Sequence, residues 1–144
     1  PHSYEDNDQF GLSVGYYFDD LIYGPEYFDY GKPDQPGDRI LEKLKIEQTI
    51  MKFCPDTVLA LIKCNESEIK RRIKCNPHEN QLGNENDIKV LSNRFQKEFD
   101  TSLITNKITI DTGNSTIYES VSELVYKLQP FFSKDDRLRL LSGI

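Results

Sequence analysis

The sequence predicts an α/β domain in which helices flank a parallel sheet. Three observations lead to this prediction: strand-like runs alternate with helical patterns, polar capping residues precede the helices, and proline follows several of them. A strand, a helix and a further strand normally connect through a right-handed crossover, which makes the two strands parallel. We therefore expect residues 1–144 to form a single three-layer α/β domain, or part of a larger fold of this class.

The predicted strands are short runs of apolar, β-branched or aromatic residues. Residues 10–18 (FGLSVGYYF) predict the first strand, and residues 57–63 (TVLALIK) have the continuous apolar composition of a buried parallel strand. Residues 107–110 (KITI) predict the third. Three strands are few for such a sheet, so we expect further strands or a chain that forms part of a larger sheet. The three predicted strands should be parallel neighbours.

The first two predicted helices begin at capping residues and end near proline. Asp38 precedes a helix that ends at Cys54, because the residue before a proline disfavours helix. Asn65, with Glu68 three residues later, predicts a capping box ahead of SEIKRRIK. The polar residues 76–87 then predict a loop. The apolar positions expected to face the core from the first of these helices are Ile40, Leu41, Leu44, Ile50, Met51 and Phe53.

The second half of the chain predicts three further helices. Apolar residues recur three and four positions apart over residues 88–99, which is the spacing of one helix face. Thr116 and Glu119 form a second capping-box pattern, and Pro130 closes the helix that follows it. The tail at residues 133–144 predicts a short terminal helix.

Composition limits the classes of partner. The 144 residues carry a formal net charge of −6, which disfavours non-specific binding to nucleic acid. No apolar run reaches the roughly 20 residues that cross a bilayer, and no signal peptide is visible, so we expect a soluble protein without a membrane partner. Three cysteines, an odd number, indicate reduced thiols and a cytoplasmic location. Cys64, Cys75 and His78 fall short of a four-ligand zinc pattern, so we expect no metal centre there.

The stretch at residues 23–33 (YGPEYFDYGKP) combines clustered aromatic rings with turn residues. Its Gly31-Lys32 pair is not a phosphate loop, because Pro33 lacks the N–H that such a loop points at phosphate. We expect residues 23–31 to form a loop beyond the first strand, where a substrate ring could stack on Tyr23, Tyr27 or Tyr30. The alternative is that these rings cover the sheet edge or form a protein interface.

Two carboxylates precede that stretch, at the expected end of the first strand. Asp19 and Asp20 could hold magnesium or accept the proton of a substrate hydroxyl, which makes them candidate catalytic residues. The alternative is turn chemistry, since aspartate is common at such positions. We expect a cleft that Asp19 or Asp20 shares with at least one of the three tyrosines.

Two segments of the chain resemble P-loop nucleoside and nucleotide kinases. The segment DTVLALIKCNESEIKRRIKCNP is similar to the strand and lid helix of that family, and NKITIDTGNSTIYESVSELVYKLQ is similar to its closing strand and helix. The resemblance covers about residues 10–130 and rests on pattern rather than on an exact motif. It implies a nucleotide-binding, three-layer P-loop-kinase-like fold that uses ATP and Mg²⁺ and a small-molecule substrate.

The resemblance also implies roles for four residues. Arg71 and Arg72 would be catalytic, since lid arginines in that family clamp the transferred phosphoryl group. Asp111 and Thr112 would lie beside the adenine of the nucleotide. With Lys63, Lys70 and Lys74, the two arginines form the strongest local positive cluster of the chain. The alternatives are a solvated basic helix face, on which Lys70 and Lys74 lie four residues apart, and an ordinary turn after the last strand.

One departure from the family pattern leaves two function classes open. No G-x-x-x-x-G-K-S/T loop occurs in the sequence, so the phosphate cradle of a kinase would lie upstream of Pro1 and this chain would be the C-terminal half of the fold. The first class is ATP-dependent phosphoryl transfer to a small acceptor such as a nucleoside or nucleotide. The second is a non-catalytic α/β module that uses the aromatic stretch 23–31 to bind a protein or ligand.

Overall fold

The computed structural model describes residues 11–76 and 85–142. These residues form a mixed α/β protein with six α-helices and a two-stranded sheet. A 3₁₀ turn, Gln129–Phe131, directly follows the fifth helix. In chain order the elements are α1 (Tyr16–Tyr27), α2 (Arg39–Phe53), β1 (Val58–Lys63), α3 (Glu66–Cys75), α4 (Ile88–Thr101), β2 (Asn106–Asp111), α5 (Ile117–Leu128) and α6 (Lys134–Ser142).

The two strands are parallel, and a helix packs against each face of their sheet. The register runs from Val58 beside Asn106 to Lys63 beside Asp111, which confirms the expected parallel pairing of these two segments. The Lys107 ammonium donates to backbone carbonyls at the end of α4, so this side chain lies on the α4 face. The next residue, Ile108, lines a cavity with side chains from α5 and the turn after it, on the opposite face.

The prediction of a strand at residues 10–18 is wrong for the part of it that is described. Residues 11–13 have no regular structure, and α1 begins at Tyr16 after Gly15, whose φ of 73° lies in the left-handed region. The aromatic residues that favoured a strand pack instead as a helix: the Tyr17 hydroxyl donates to Glu47 on α2. Tertiary contact therefore overrides local strand propensity, and the described sheet has two strands rather than three.

The prediction of a loop at residues 23–31 is wrong for its first half. Tyr23 and Tyr27 lie in α1 despite Pro25 within that helix, and the irregular segment begins only at Phe28. Tyr23 and Tyr27 are one helical turn apart and share a face that packs on α4. Pro25 has no backbone N–H to donate, so α1 has one intrahelical hydrogen bond fewer at this turn.

The capping predictions are confirmed at three helices. The Asp38 carboxylate accepts the backbone N–H groups of the first turn of α2, and Asn65 accepts the N–H of Glu68 at the start of α3. Thr116 and Glu119 form the complete reciprocal box at α5. At α3 the box is only half formed, because the Glu68 carboxylate is held by arginines further along the helix. Of the loop predicted at residues 76–87, residues 77–84 lie outside the described part.

The prediction for the buried face of α2 is wrong in part. Leu41 and Phe53, expected in the core, have 55% and 69% of their surface exposed, whereas Lys43 and Glu47 are buried. The Lys43 ammonium donates to the Glu98 carboxylate at 2.7 Å and to the Glu98 carbonyl at 3.0 Å. These polar groups can be buried because each has a hydrogen-bond partner of matching charge or polarity.

The Lys43–Glu98 pair predicts a large loss of stability when one partner is removed. Replacing Lys43 with Met should lower the free energy of unfolding by about 3–5 kcal/mol, because the Glu98 carboxylate would stay buried without its cation. Urea unfolding followed by circular dichroism measures this loss. Lys45→Met, at an exposed position of the same helix, is the matched control and should change stability by less than about 0.5 kcal/mol. Equal effects of the two variants would contradict the prediction.

Candidate functional site

The carboxyl ends of β1 and β2 meet at one edge of the sheet, and both are followed by turns into helices. β1 ends at Lys63 and leads through Asn65 into α3, and β2 ends at Asp111 and leads through Thr112 towards α5. The Thr112 N–H donates to the Lys63 carbonyl at 2.8 Å, which extends the ladder one residue beyond β2. In parallel α/β folds this edge is where ligands bind.

Arg72 joins the two turns at this edge. One of its terminal nitrogens donates to the Thr112 hydroxyl at 3.1 Å, and the other donates to the Thr112 carbonyl at 2.7 Å. The fold therefore brings together two residues, forty positions apart, that the sequence nominated separately. Because a guanidinium is a rigid planar donor, these two bonds fix the turn after β2 relative to α3.

Glu68 holds both arginines of the basic helix. Arg71 donates to its two carboxylate oxygens at 2.7 and 2.6 Å, and Arg72 donates from Nε at 2.8 Å. These bonds, from Arg71 first and Arg72 second, lower the pKa of Glu68 to about 2. Glu68 is predicted from the sequence only as a capping residue, although its spacing of three and four residues from the arginines also predicts ion pairs. Two guanidinium groups sharing one carboxylate leave a local excess of positive charge.

The turn after β2 passes close to the start of α3. The Asp111 carboxylate accepts the N–H of Gly113 at 2.9 Å, which is the hydrogen bond of an Asx turn. A Cβ atom added at Gly113 would lie 3.1 Å from both the Asn65 side-chain nitrogen and this carboxylate, so glycine allows the close approach. Asp111 itself is exposed.

A groove runs along α3 from this edge. It encloses about 540 Å³, and the Arg71 and Arg72 side chains beside it are 64% and 45% exposed. Both guanidinium groups are therefore accessible to a ligand in solution. The lining residues are Cys64, Ile69, Arg71, Arg72, Ile73, Cys75 and Asn76.

The predicted acidic pair lies on α1. The Tyr30 hydroxyl donates to one Asp20 oxygen at 2.5 Å, and Arg39 pairs with the other at 3.1 Å. The Arg39 guanidinium also lies over the Tyr30 ring, 5.3 Å from its centroid. Arg39 was not among the predicted site residues, because nothing in its local sequence indicates that the chain folds back on Asp20. Partial burial and the neighbouring Asp20 charge raise the pKa of Asp19.

The two remaining tyrosines of the predicted substrate site face α4. The Tyr27 hydroxyl donates to the Asp87 carboxylate at 2.8 Å. The Tyr23 ring meets Phe95 edge to face, with centroids 5.9 Å apart. Burial, and secondarily the charge of Asp19, raises the pKa of Tyr23. These contacts are part of the packing between α1 and α4.

The predicted site residues thus divide into two groups. Arg71, Arg72, Asp111 and Thr112 lie at the carboxyl edge of the sheet, whereas Asp19, Asp20 and the three tyrosines lie around α1. Within residues 11–76 and 85–142, no hydrogen bond or ion pair joins Asp19 or Asp20 to either arginine. The same residues contain no group of three or more histidine, cysteine or acidic side chains placed to hold a metal, and His78 lies outside them.

Comparison with protein-family models, with curated proteins and with solved structures found no match to this chain. In the described part of the chain, no helix has both the length and the apolar composition needed to cross a bilayer.

The raised pKa of Asp19 predicts a stability that depends on pH. The folded state binds the proton of Asp19 more tightly than the unfolded chain does, where the pKa of aspartate is about 3.9. The contribution of Asp19 to the free energy of unfolding therefore falls as the pH rises from the unfolded pKa through the raised folded pKa. Asp19→Asn should therefore raise the melting temperature at pH 7, and the gain should vanish at low pH. Asp20→Asn is the control, and it should not stabilise because it removes the Arg39 ion pair. No gain from Asp19→Asn at pH 7 would contradict the prediction.

Proposed function

We propose that this chain binds a phosphorylated ligand at the carboxyl edge of its sheet and takes part in ATP-dependent phosphoryl transfer. The acceptor would be a small hydroxyl or phosphate compound such as a nucleoside or nucleotide. The observation that supports this proposal best is the Arg72 guanidinium, which bridges α3 and Thr112 beside the exposed Arg71. Paired guanidinium groups at this edge match the planar oxygen pairs of a phosphate.

In the proposed reaction the acceptor oxygen attacks the terminal phosphorus of ATP. The bond from that phosphorus to the bridging oxygen breaks, ADP leaves, and the acceptor loses its proton to a base or to solvent. The arginines would stabilise the charge spread over the transferred group. Glu68 occupies Nε and Nη2 of Arg71 in the free protein, so an incoming phosphate would exchange with this carboxylate.

The nucleotide base and the metal would lie on the β2 side of the edge in this proposal. The turn from Asp111 to Gly113 would flank the adenine. Asp111 has one oxygen bound to a backbone N–H, and it could hold Mg²⁺ together with phosphate oxygens, since this ion commonly takes only one or two protein carboxylates. Asp20 fits the ion poorly, because Tyr30 and Arg39 occupy both its oxygens. The proposal leaves Asp19 and Asp20 without a catalytic role.

The remaining phosphate contacts would come from a glycine-rich loop outside these 144 residues. The sequence contains no glycine-rich loop that ends in Lys-Ser or Lys-Thr. A P-loop-kinase-like fold requires such a loop, so this part of the proposal depends on finding one. The coding sequence that precedes Pro1 tests this part of the proposal. A glycine-rich loop there would favour the enzyme, and its absence would favour a binding module.

Titration calorimetry with inorganic phosphate and with ATP tests the binding site. Arg71→Ala should weaken both affinities by at least about tenfold, because it removes a charge-assisted contact. Arg94→Ala is the matched control: Arg94 is also paired with a glutamate, Glu26 on α1, and its loss should leave both affinities unchanged. Circular dichroism checks that each variant is folded. Unchanged phosphate and ATP binding in the Arg71→Ala, Arg72→Ala double variant would refute the proposal.

A second candidate function is a non-catalytic module that binds a flat ligand or partner through the end of the aromatic stretch. The observation that favours it is an exposed ring pair: Phe28 is 56% and Tyr30 38% exposed, with centroids 6.3 Å apart. Adenosine, which has no phosphate, separates the two functions. If the second function is correct, Phe28→Ala should weaken adenosine binding and Arg71→Ala should leave it unchanged. Adenosine binding that is weakened by Arg71→Ala and unaffected by Phe28→Ala would exclude the second function.

A further inference from the structure

One edge of the sheet carries a row of backbone groups that β2 does not use. The Thr112 N–H reaches the Lys63 carbonyl, so Lys63 points its backbone groups towards β2. Backbone groups alternate between the two edges of a strand, so Leu59 and Leu61 also point towards β2, and the intervening residues point away from it. No other strand of the described chain lies along this outer edge. The outward residues are Val58, Ala60 and Ile62.

In the described part of the chain, a lysine side chain binds the outer edge of β2, whereas no strand lies along the outer edge of β1. The Lys127 ammonium donates to the Thr109 carbonyl at 2.6 Å, and this carbonyl points away from β1. On β1 the outward residue Ala60 is exposed, and Ile62 has 64% of its surface exposed. Proteins usually cover or charge an apolar edge of this kind, because it can pair with another strand.

We propose that the outer edge of β1 pairs with the same edge of a second copy of this chain. The two β1 strands would run antiparallel about a two-fold axis at Ala60 and would join the two sheets into one four-stranded sheet. Val58 would lie opposite Ile62 of the second copy, and Ala60 opposite its own counterpart. The outward residues would then exchange N–H and C=O groups across the axis.

The charges at the two ends of β1 favour this orientation and this occupant. Asp56 lies just before the strand and Lys63 is its last residue, and both are exposed. Neither side chain forms an ion pair with another residue of the described part of the chain. Antiparallel pairing about Ala60 places each Lys63 opposite Thr57 of the other copy, next to its Asp56. Parallel pairing would place like charges together.

The apolar side chains complete the match. Val58, Ala60 and Ile62 lie on one face of the sheet, since each is paired in register with the β2 residue on that same face. In the proposed register Ile62 covers Val58 of the second copy on both sides of the axis, and the small Ala60 occupies the axis itself. The two-fold axis therefore generates two equivalent apolar cross-strand pairs, each between Ile62 of one copy and Val58 of the other. The inference does not rest on the proposed function.

Sedimentation velocity over a range of concentrations measures the dimer. Ile62→Lys should raise the dimer dissociation constant by at least about tenfold, because it buries a charge at the new strand pair. Ile117→Lys is the matched control, since Ile117 on α5 is 87% exposed and lies outside the proposed interface. Circular dichroism confirms that both variants are folded. A chain that stays monomeric at every concentration, or a dimer that Ile62→Lys leaves intact, would overturn the proposal.

A charge exchange tests the orientation without changing an apolar residue. Asp56→Lys should weaken the dimer, because it places lysines of both copies together at each end of the strand pair. Adding Lys63→Asp to that variant should restore the affinity, since opposite charges face each other again. Weakening that is not reversed in the double variant would exclude the antiparallel register.

Amide hydrogen exchange of the unaltered chain identifies the occupant of the edge. The N–H groups of Val58, Ala60 and Ile62 should become protected as concentration rises, whereas those of Leu59 and Leu61 should be protected throughout. If the three outward groups are already protected in the monomer, a segment of the same chain occupies the edge and the proposal is wrong.

Discussion

Two buried polar residues one turn apart on α2 hold the described structure together. Lys43 reaches the end of α4 through Glu98, and Glu47 accepts both the Tyr17 hydroxyl from α1 and the Leu103 N–H at 2.7 Å. Each bond joins parts of the chain that are far apart in sequence, so one helix fixes the positions of three segments. Burial and the Glu47 charge raise the pKa of Tyr17, because both disfavour the ionised phenolate beside this carboxylate.

The carboxyl edge depends on this arrangement through β2. Leu103 lies in the short segment between α4 and β2, and the Lys107 ammonium ties the start of β2 to the carbonyls of Asp100 and Ser102. These bonds fix the position of the first residues of β2. Because a strand is a regular, extended element, the position of its last residue follows from that of its first. The turn that Arg72 holds at Thr112 is therefore positioned from α2, through the strand, rather than by α3 alone.

At the carboxyl edge, two guanidinium groups, those of Arg71 and Arg72, donate to one carboxylate, that of Glu68. Glu68 keeps both arginines ordered and lowers their combined charge, while the exposure of their side chains keeps them accessible to an anion. The arginine side of these ion pairs is exposed, so water competes for the guanidinium groups and weakens the pairs. The Glu68 contacts can therefore orient the guanidinium of Arg71 and still give way to a phosphate, which offers more oxygens and more charge.

The sequence by itself determined the helices from α2 onwards, the two parallel strands and the caps at Asp38, Asn65 and Thr116, because these features depend on neighbours within one turn or one strand. It also nominated Arg72 and Thr112 without indicating that they touch. Only the tertiary structure decided that residues 16–27 form a helix, that Lys43 and Glu47 are buried, and that Arg39 meets Asp20. The physical reason is distance along the chain. An aromatic run favours a strand by local preference, and only packing against other parts of the chain makes it a helix here. A buried charge likewise depends on a partner that local sequence does not reveal.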